Sequence, residues 1–274
     1  MTATRRLIVN ADDFGRSVSI NKAVIRAHRE GILTSASLMV NEPGCSEAVA
    51  SAMENPKLGV GLHLALVCGR SALPPDKIPG LVNARGEFGS NPVAVGMNYF
   101  LKRGMREQLR AEIHEQFARF RATGLPLDHI NGHLHLHLHP VVFRILMDDA
   151  SKLGIRHMRL TREPYGLDAP LANGRRLYRA VHAFIYWILS RRALPELYDR
   201  NIRYTHHVFG LLQHDRVDAT YVRKLLDILP SGDSELYSHP SLDRSKHEFE
   251  ALISPDVSKI IRQCGIKLIR YQDL

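Results

Sequence analysis

The stretch LIVNADDFGRSVSINKAVIRAHREGI, residues 7–32, decides how the rest of the chain is read. Its first five residues form a short apolar-leaning run that suits a strand, followed by a polar turn holding Asp12, Asp13 and Gly15. From Ser17 onward apolar residues recur at helical spacing until Gly31, which is placed to stop a helix. The unit is strand, loop, helix, and the pattern repeats. TSASLMV (34–40) precedes the helical CSEAVASAME, and LGVGLHLAL (58–66) follows it. Alternating β and α segments imply a parallel sheet or barrel, because parallel strands need crossover connections.

Residues 67–104 interrupt this rhythm with Pro, Gly and short polar pieces and read as a long loop excursion, of the kind that often serves as a functional lid. The helical segment 105–124 restores the alternation and leads into LDHINGHLHLHLHP (127–140), read as a strand ending in an irregular loop. In an extended strand His133, His135, His137 and His139 all project from one face. Pro140 suits the first turn of the next helix. Further strands are expected at 155–160, 204–210, 234–240 and 266–272, with helices around 175–193, 218–229 and 255–263. The fold class expected is α/β, a single distorted (β/α) TIM-like barrel of seven or eight parallel strands spanning residues 1–274, with the excursion at about 67–104.

Composition narrows the function. With 274 residues, 45% hydrophobic and 24% charged, the chain can bury a full core, and disordered or fibrous classes are excluded. A formal charge of +9 points to nucleic acid, an anionic membrane surface or an acidic ligand. No aromatic RNA motif, zipper-type basic region or Cys/His finger spacing supports nucleic acid, which leaves the membrane surface as the better reading. Cys45, Cys68 and Cys264 lie too far apart for a zinc ribbon and suit reduced thiols in a cytoplasmic protein. The N-terminal apolar run is too short for a signal peptide, and no segment approaches the ~18 apolar residues of a membrane span. The expected location is cytoplasmic, with peripheral contact at the inner membrane surface.

Polar residues gather where the expected strands end: Asp12 and Asp13, His63, the histidine run, Arg159 and Arg162, and His239. In a parallel β/α barrel that rim is where loops converge and active sites are built. Two imidazoles and one carboxylate form a familiar catalytic metal set with coordination positions left open, and a metal so held polarises a carbonyl and lowers the pKa of water toward ~7. A second carboxylate can take a proton and a histidine can return it. Each element also has an ordinary structural reading. An Asp pair before a helix caps and turns the chain, a histidine on an apolar strand is often hydrogen-bonded core, and His239 before Pro240 suits a turn. Two imidazoles suffice beside one carboxylate, so part of the histidine run must serve substrate contact, second-layer support or packing.

The ordered set LIVNADDFG, GLHLAL, HINGHLHLHLHP and YSHPS resembles the YdjC-like family of carbohydrate deacetylases, which includes chitooligosaccharide deacetylase, over nearly the whole chain. The resemblance implies a distorted β/α barrel and divalent-metal-dependent removal of an acetyl group from an N-acetylated sugar, with Zn2+ as the expected ion. It implies Asp12 as general base, with Asp13, His63 and His133 as metal ligands and His239 as general acid. Arg162 resembles the arginine that related polysaccharide deacetylases set against the catalytic aspartate. Asn131, His135, His137 and His139 are left for substrate contact or second-layer support. Asn131 and Gly132 stand where the family commonly has Asp and Ser, which removes a possible supporting carboxylate. The NGHLHLHLHP variant resembles a subgroup associated with hopanoid biosynthesis, whose implied substrate is an N-acetylglucosaminyl hopanoid lipid.

The stretch at 174–194 has Arg175, Arg176 and Arg179 at one end, Arg191 and Arg192 at the other, and an apolar middle with the single Trp187. It reads either as an interfacial helix on anionic lipid or as a buried helix with basic ends. Rival functional readings are deacetylation of soluble chitooligosaccharides and a non-catalytic metal-binding protein.

Overall fold

The computed structural model describes residues 4–168, 170–171, 176–213 and 216–274; Arg175 lies outside them. The chain runs as β1 (Arg5–Phe14), α1 (Val18–Glu30), β2 (Ser35–Leu38), α2 (Cys45–Met53), β3 (Gly59–Leu64), α3 (Pro92–Leu101), α4 (Met105–Ala122) and β4 (Ile130–Gly132). It continues through α5 (Pro140–Asp148), α6 (Ala150–Leu153), α7 (Tyr165–Asp168), α8 (Arg176–Asp199), β5 (His207–Phe209) and α9 (Ala219–Ile228). The last elements are β6 (Gly232–Ser238), α10 (Lys246–Leu252), α11 (Pro255–Gln263) and β7 (Lys267–Leu268). Local chemistry sets the helix starts: the Ser17, Asn91, Asp218 and Ser254 side chains each accept a backbone N–H of the first turn, and Pro140 opens α5.

Among the described residues the strands form one all-parallel, curled sheet in the order β4-β3-β2-β1-β6-β5, with β7 also pairing β1. This corrects the expectation of a closed TIM-like barrel. The run 155–160 forms no ladder strand. Only isolated bridges, Ile130↔Met158 and His157↔Arg203, cross the interval between β4 and β5, and the sheet stays open there. The alternation of side chains decides which face is dry. Leu7, Val9 and Ala11 of β1, Leu38, Leu62, Leu64 and Leu236 join the main apolar core with the helices. The alternate positions, Asn10, Asp12, Ser35, Ser37, His63 and Glu235, are buried and polar, and they make the concave face of the sheet a hydrogen-bonded interior.

Residues 67–104 are more ordered than a bare loop. Antiparallel bridges Arg70↔Glu87 and Val82↔Phe88 precede α3, and Glu112 and Gln108 of α4 accept backbone N–H groups of Ala72, Leu73 and Gly80 at 2.7–2.9 Å. Helix α8 packs beside the histidine turn after β4 but leaves Leu177, Val181, Phe184, Ile185 and Trp187 exposed. No helix of the described residues is long and apolar enough to cross a membrane.

One close approach fixes β3 against β4. A Cβ on Gly61 would sit 2.5 Å from the His129 carbonyl oxygen and from its imidazole ring. Gly61→Ala is therefore expected to lower stability by about 2 kcal/mol, read as a lower midpoint in urea unfolding with unchanged slope.

Candidate metal centre and active site

β1 ends at Asp12, Asp13 and Phe14, and its last carboxylates diverge because Asp13 takes a left-handed conformation, φ 62°. Asp12 turns into the sheet interior. Its Oδ1 accepts from Asn10 Nδ2 (2.8 Å), Asn131 Nδ2 (3.0 Å) and Arg159 Nη2 (2.9 Å), and its Oδ2 accepts from Arg159 Nη1 (2.7 Å). Burial works against its charge, but Arg159, His63 and His239 together hold the Asp12 carboxyl well below the usual carboxylate range. Asp12 is an anion at every ordinary pH.

Asp13 turns the other way. Its Oδ2 accepts from Arg16 (2.7 Å), while its buried Oδ1 has no hydrogen-bond donor and faces His133 Nδ1 at 3.1 Å and His63 Nε2 at 3.4 Å. The two imidazole nitrogens lie 3.4 Å apart. The proton on His63 can be placed: the Asn131 amide donates to Asp12 and Ser37, so its Oδ1 accepts from His63 Nδ1 at 2.7 Å. His63 Nε2 is thereby left with a lone pair aimed at His133 and Asp13. Three ligand atoms bonded to one cation at about 2.0–2.1 Å in a tetrahedral arrangement would stand about 3.3 Å apart. The observed separations match, and the three residues are the metal-type cluster found among the described residues. Asp13, His63 and His133 fit a divalent cation. Asn131 supplies the outer support that a carboxylate supplies elsewhere, because its carbonyl oxygen orients the ligand imidazole.

The histidine run does not stay on one strand face as expected. β4 ends at Gly132, and residues 133–138 wind into a tight turn with Leu134 (φ 50°, ψ 30°) and His135 (φ 57°, ψ 23°) left-handed. Each histidine therefore goes to a different place. His133 joins the metal cluster. His135 Nε2 meets the Tyr237 hydroxyl at 3.0 Å and its Nδ1 meets Thr161 Oγ1 at 3.2 Å. His137 Nε2 donates to the Arg159 carbonyl (2.9 Å), and burial pushes its pKa down to about 3. His139, half-buried, points away toward the rings of Tyr99 and Phe100.

His239, half-buried at the end of β6, has its ring 5.8 Å from Tyr237, and its backbone N–H donates to buried Glu248 (2.5 Å). Arg162 requires a correction: it is exposed and lines a cavity of about 370 Å³ with Tyr165 and Trp187. The arginine set against Asp12 is Arg159, which also donates from Nε and Nη2 to Glu235 Oε1 (2.9 and 2.7 Å) and lies 4.3 Å from the Tyr237 ring. The sequence reading left out Asn10, Ser37, His129, Glu235, Tyr237 and Tyr271, which complete the network. For Asn10, His129, Glu235 and Tyr237 the signal is the period of two counted back from Asp12, Asn131 and His239.

The profile of the family described as YdjC-like protein matches residues 6–263. The chain belongs to the YdjC-like family. This YdjC-like chain is 44% identical to a carbohydrate deacetylase of Brevibacillus brevis, over 98% of its own length and 99% of the relative's. It is 38% identical to a chitooligosaccharide deacetylase of Serratia marcescens, over 57% of the chain and 60% of that protein. In fold it resembles a solved structure from Enterococcus faecalis V583 named for cellobiose-phosphate cleavage, with a TM-score of 0.73 at 23% identity over 99% of both chains.

Two measurements check this geometry. Calorimetric titration with zinc after chelation should give one tight site per chain, weakened at least tenfold in Asp13→Asn and in His133→Ala. The depressed folded pKa of His137 against about 6.5 unfolded means that its contribution to stability is complete above pH 6.5 and is lost as the pH falls toward 3. At pH 5 the loss from this group is about 2 kcal/mol, and His137→Gln should flatten that part of the pH profile of thermal unfolding.

Proposed function

We propose that this chain removes the N-acetyl group from an N-acetylated amino sugar by metal-dependent hydrolysis. The observation that carries the reading is the meeting of Asp13 Oδ1, His63 Nε2 and His133 Nδ1 beside an ionised Asp12. The full-length likeness to a carbohydrate deacetylase supplies the reaction class. A divalent cation, Zn2+ by its donor set, would supply Lewis acidity when bound, drawing charge from the amide oxygen and lowering the pKa of water.

The chain's own groups move the protons. Asp12 Oδ2 accepts one hydrogen bond, from Arg159, and keeps a lone pair to take a proton from the attacking water. Arg159 fixes the direction of that lone pair. His239, just past the end of the neighbouring strand β6, returns a proton to the departing amine, so that water and amide become acetate and a free amino sugar. His135, held by Tyr237 and Thr161, walls the site and is available to the sugar.

Two readings of what the sugar is attached to have support. The Serratia relative favours soluble N-acetylglucosamine oligomers. The histidine-turn variant and the exposed apolar residues of α8 favour an N-acetylglucosaminyl lipid of the hopanoid class. Acetate release by chelated protein, with zinc restored or withheld, should be measured on chitobiose and on an N-acetylglucosaminyl hopanoid. Zinc-dependent release is expected, and Asp12→Asn should lose about 10³-fold in kcat while keeping its zinc. One bound zinc with no acetate release from either compound would leave a metal-binding protein without catalysis.

A further inference from the structure

Two helices flank the histidine turn, and both turn apolar side chains to solvent. On one side α3 rests on His139 through Tyr99 and Phe100, with ring centroids 6.3 and 6.4 Å away. On the other, Tyr186 of α8 donates its hydroxyl hydrogen to the Leu134 carbonyl at 3.2 Å. α3 exposes Val93, Met97, Phe100 and Leu101, α8 exposes Leu177, Val181, Phe184, Ile185 and Trp187, and Leu134 is exposed between them; each is at least 44% accessible. Both sets recur at helical spacing of three or four, so each makes a stripe. Leu134 directly follows His133, so this apolar ground adjoins the metal cluster.

Within the two stretches that carry it the charges have one sign, and the acidic Glu163 that lines the cavity beside Phe184 and Trp187 is buried. From Phe88 to Arg106 there is no Asp or Glu, while Lys102, Arg103 and Arg106 are exposed. From Ala169 to Pro195 there is again no acidic residue, and Arg191 and Arg192 are exposed, Arg191 lying 5.1 Å from the Trp187 ring centroid. Apolar stripes with aromatic residues and basic neighbours suit an anionic lipid surface, with the rings among acyl chains and the cations at headgroups. A two-fold dimer through the same patch would set these cations against their own copies. No helix of the described residues spans a membrane, so the contact would be lateral.

We propose that α3, the Leu134 turn and α8 form a surface that docks on anionic bilayers and brings the mouth of the metal site against the lipid. The contact does not depend on the deacetylase reading. The test is flotation of the full-length protein with phosphatidylcholine vesicles, with and without phosphatidylglycerol, at low and high salt. About tenfold more protein should float with the anionic vesicles. Met97→Asp with Leu101→Asp, Val181→Asp with Ile185→Asp, and Lys102→Glu with Arg103→Glu should each remove most of that binding. All three should leave the circular dichroism spectrum and acetate release from chitobiose unchanged. Equal binding to neutral vesicles, or loss in the charge variant alone, overturns the proposal, and so does a dimer in sedimentation that these substitutions dissociate without any vesicle binding. Failure of the unsubstituted protein to float with anionic vesicles while it still releases acetate would sink the surface alone, whereas flotation without acetate release from any sugar would support it and sink the deacetylase reading.

Discussion

Arg159 is fully buried between two buried carboxylates, Asp12 and Glu235, and the interior of the sheet is arranged around that contact. Taking a guanidinium and two carboxylates out of water is costly unless every donor finds a partner in good geometry. Here Nη1 and Nη2 hold Asp12 bidentately, Nε and Nη2 hold Glu235, and the face of the group lies on Tyr237. The second Glu235 oxygen accepts from the Tyr271 hydroxyl. Removing one member of such a set leaves an uncompensated charge, at a cost of about 3–5 kcal/mol. The same contact keeps Asp12 ionised and aimed, so a structural requirement and a catalytic one coincide in a single side chain.

The polar interior follows from strand geometry. β1 places Asn10 and Asp12 on the face opposite Val9 and Ala11, β2 places Ser35 and Ser37 there, and β6 places Glu235 and Tyr237. Small residues leave the room: Gly59 and Gly61 of β3 let Asp128 and His129 approach the backbone. Through Ser37 the Asp128–His129 pair is joined to Asn10 and Asn131, and through these to Asp12. These side-chain hydrogen bonds tie β1, β2 and β4 together across the interior of the sheet. Arg159 itself stands between β4 and β5, and His137 caps its carbonyl.

The site also concentrates unusual backbone. Asp13, Leu134 and His135 are all left-handed, a conformation that costs a non-glycine residue about 1 kcal/mol or more. Each is held by contacts nearby: the Asp13 carbonyl accepts from the Arg16 N–H at 3.0 Å, Tyr186 holds the Leu134 carbonyl, and Tyr237 with Thr161 holds the His135 ring. The result separates neighbouring side chains. Asp12 and Asp13 reach different partners, and the histidines fan out, so that one imidazole of the run reaches the metal cluster.

Much of this was legible in the residues. Apolar periodicity and capping residues place most helices, the alternation of β and α specifies parallel strands, and the Asp12–Asp13 pair, His63 and the histidine run stand out by the chemistry of their side chains and their place at strand ends. Those features are local or follow from residue type. Partnership across the sheet is not. Arg159 and Arg162 are indistinguishable on the page, yet alternation sends the first into the interior and leaves the second in solvent. The regular period of the histidine run predicts a strand, but close packing of His137 against Gly132 and the pull of Thr161, Tyr237 and Arg159 wind it into a turn. Whether the sheet closes is likewise set by how residues 155–160 and 202–209 meet. The sequence by itself determined which groups could bind a cation and move protons, because ligand chemistry resides in the side chain. Only the tertiary structure decided which of them face one another, because partners such as Asp12 and Arg159 stand 147 residues apart and meet only across the interior of the curled sheet.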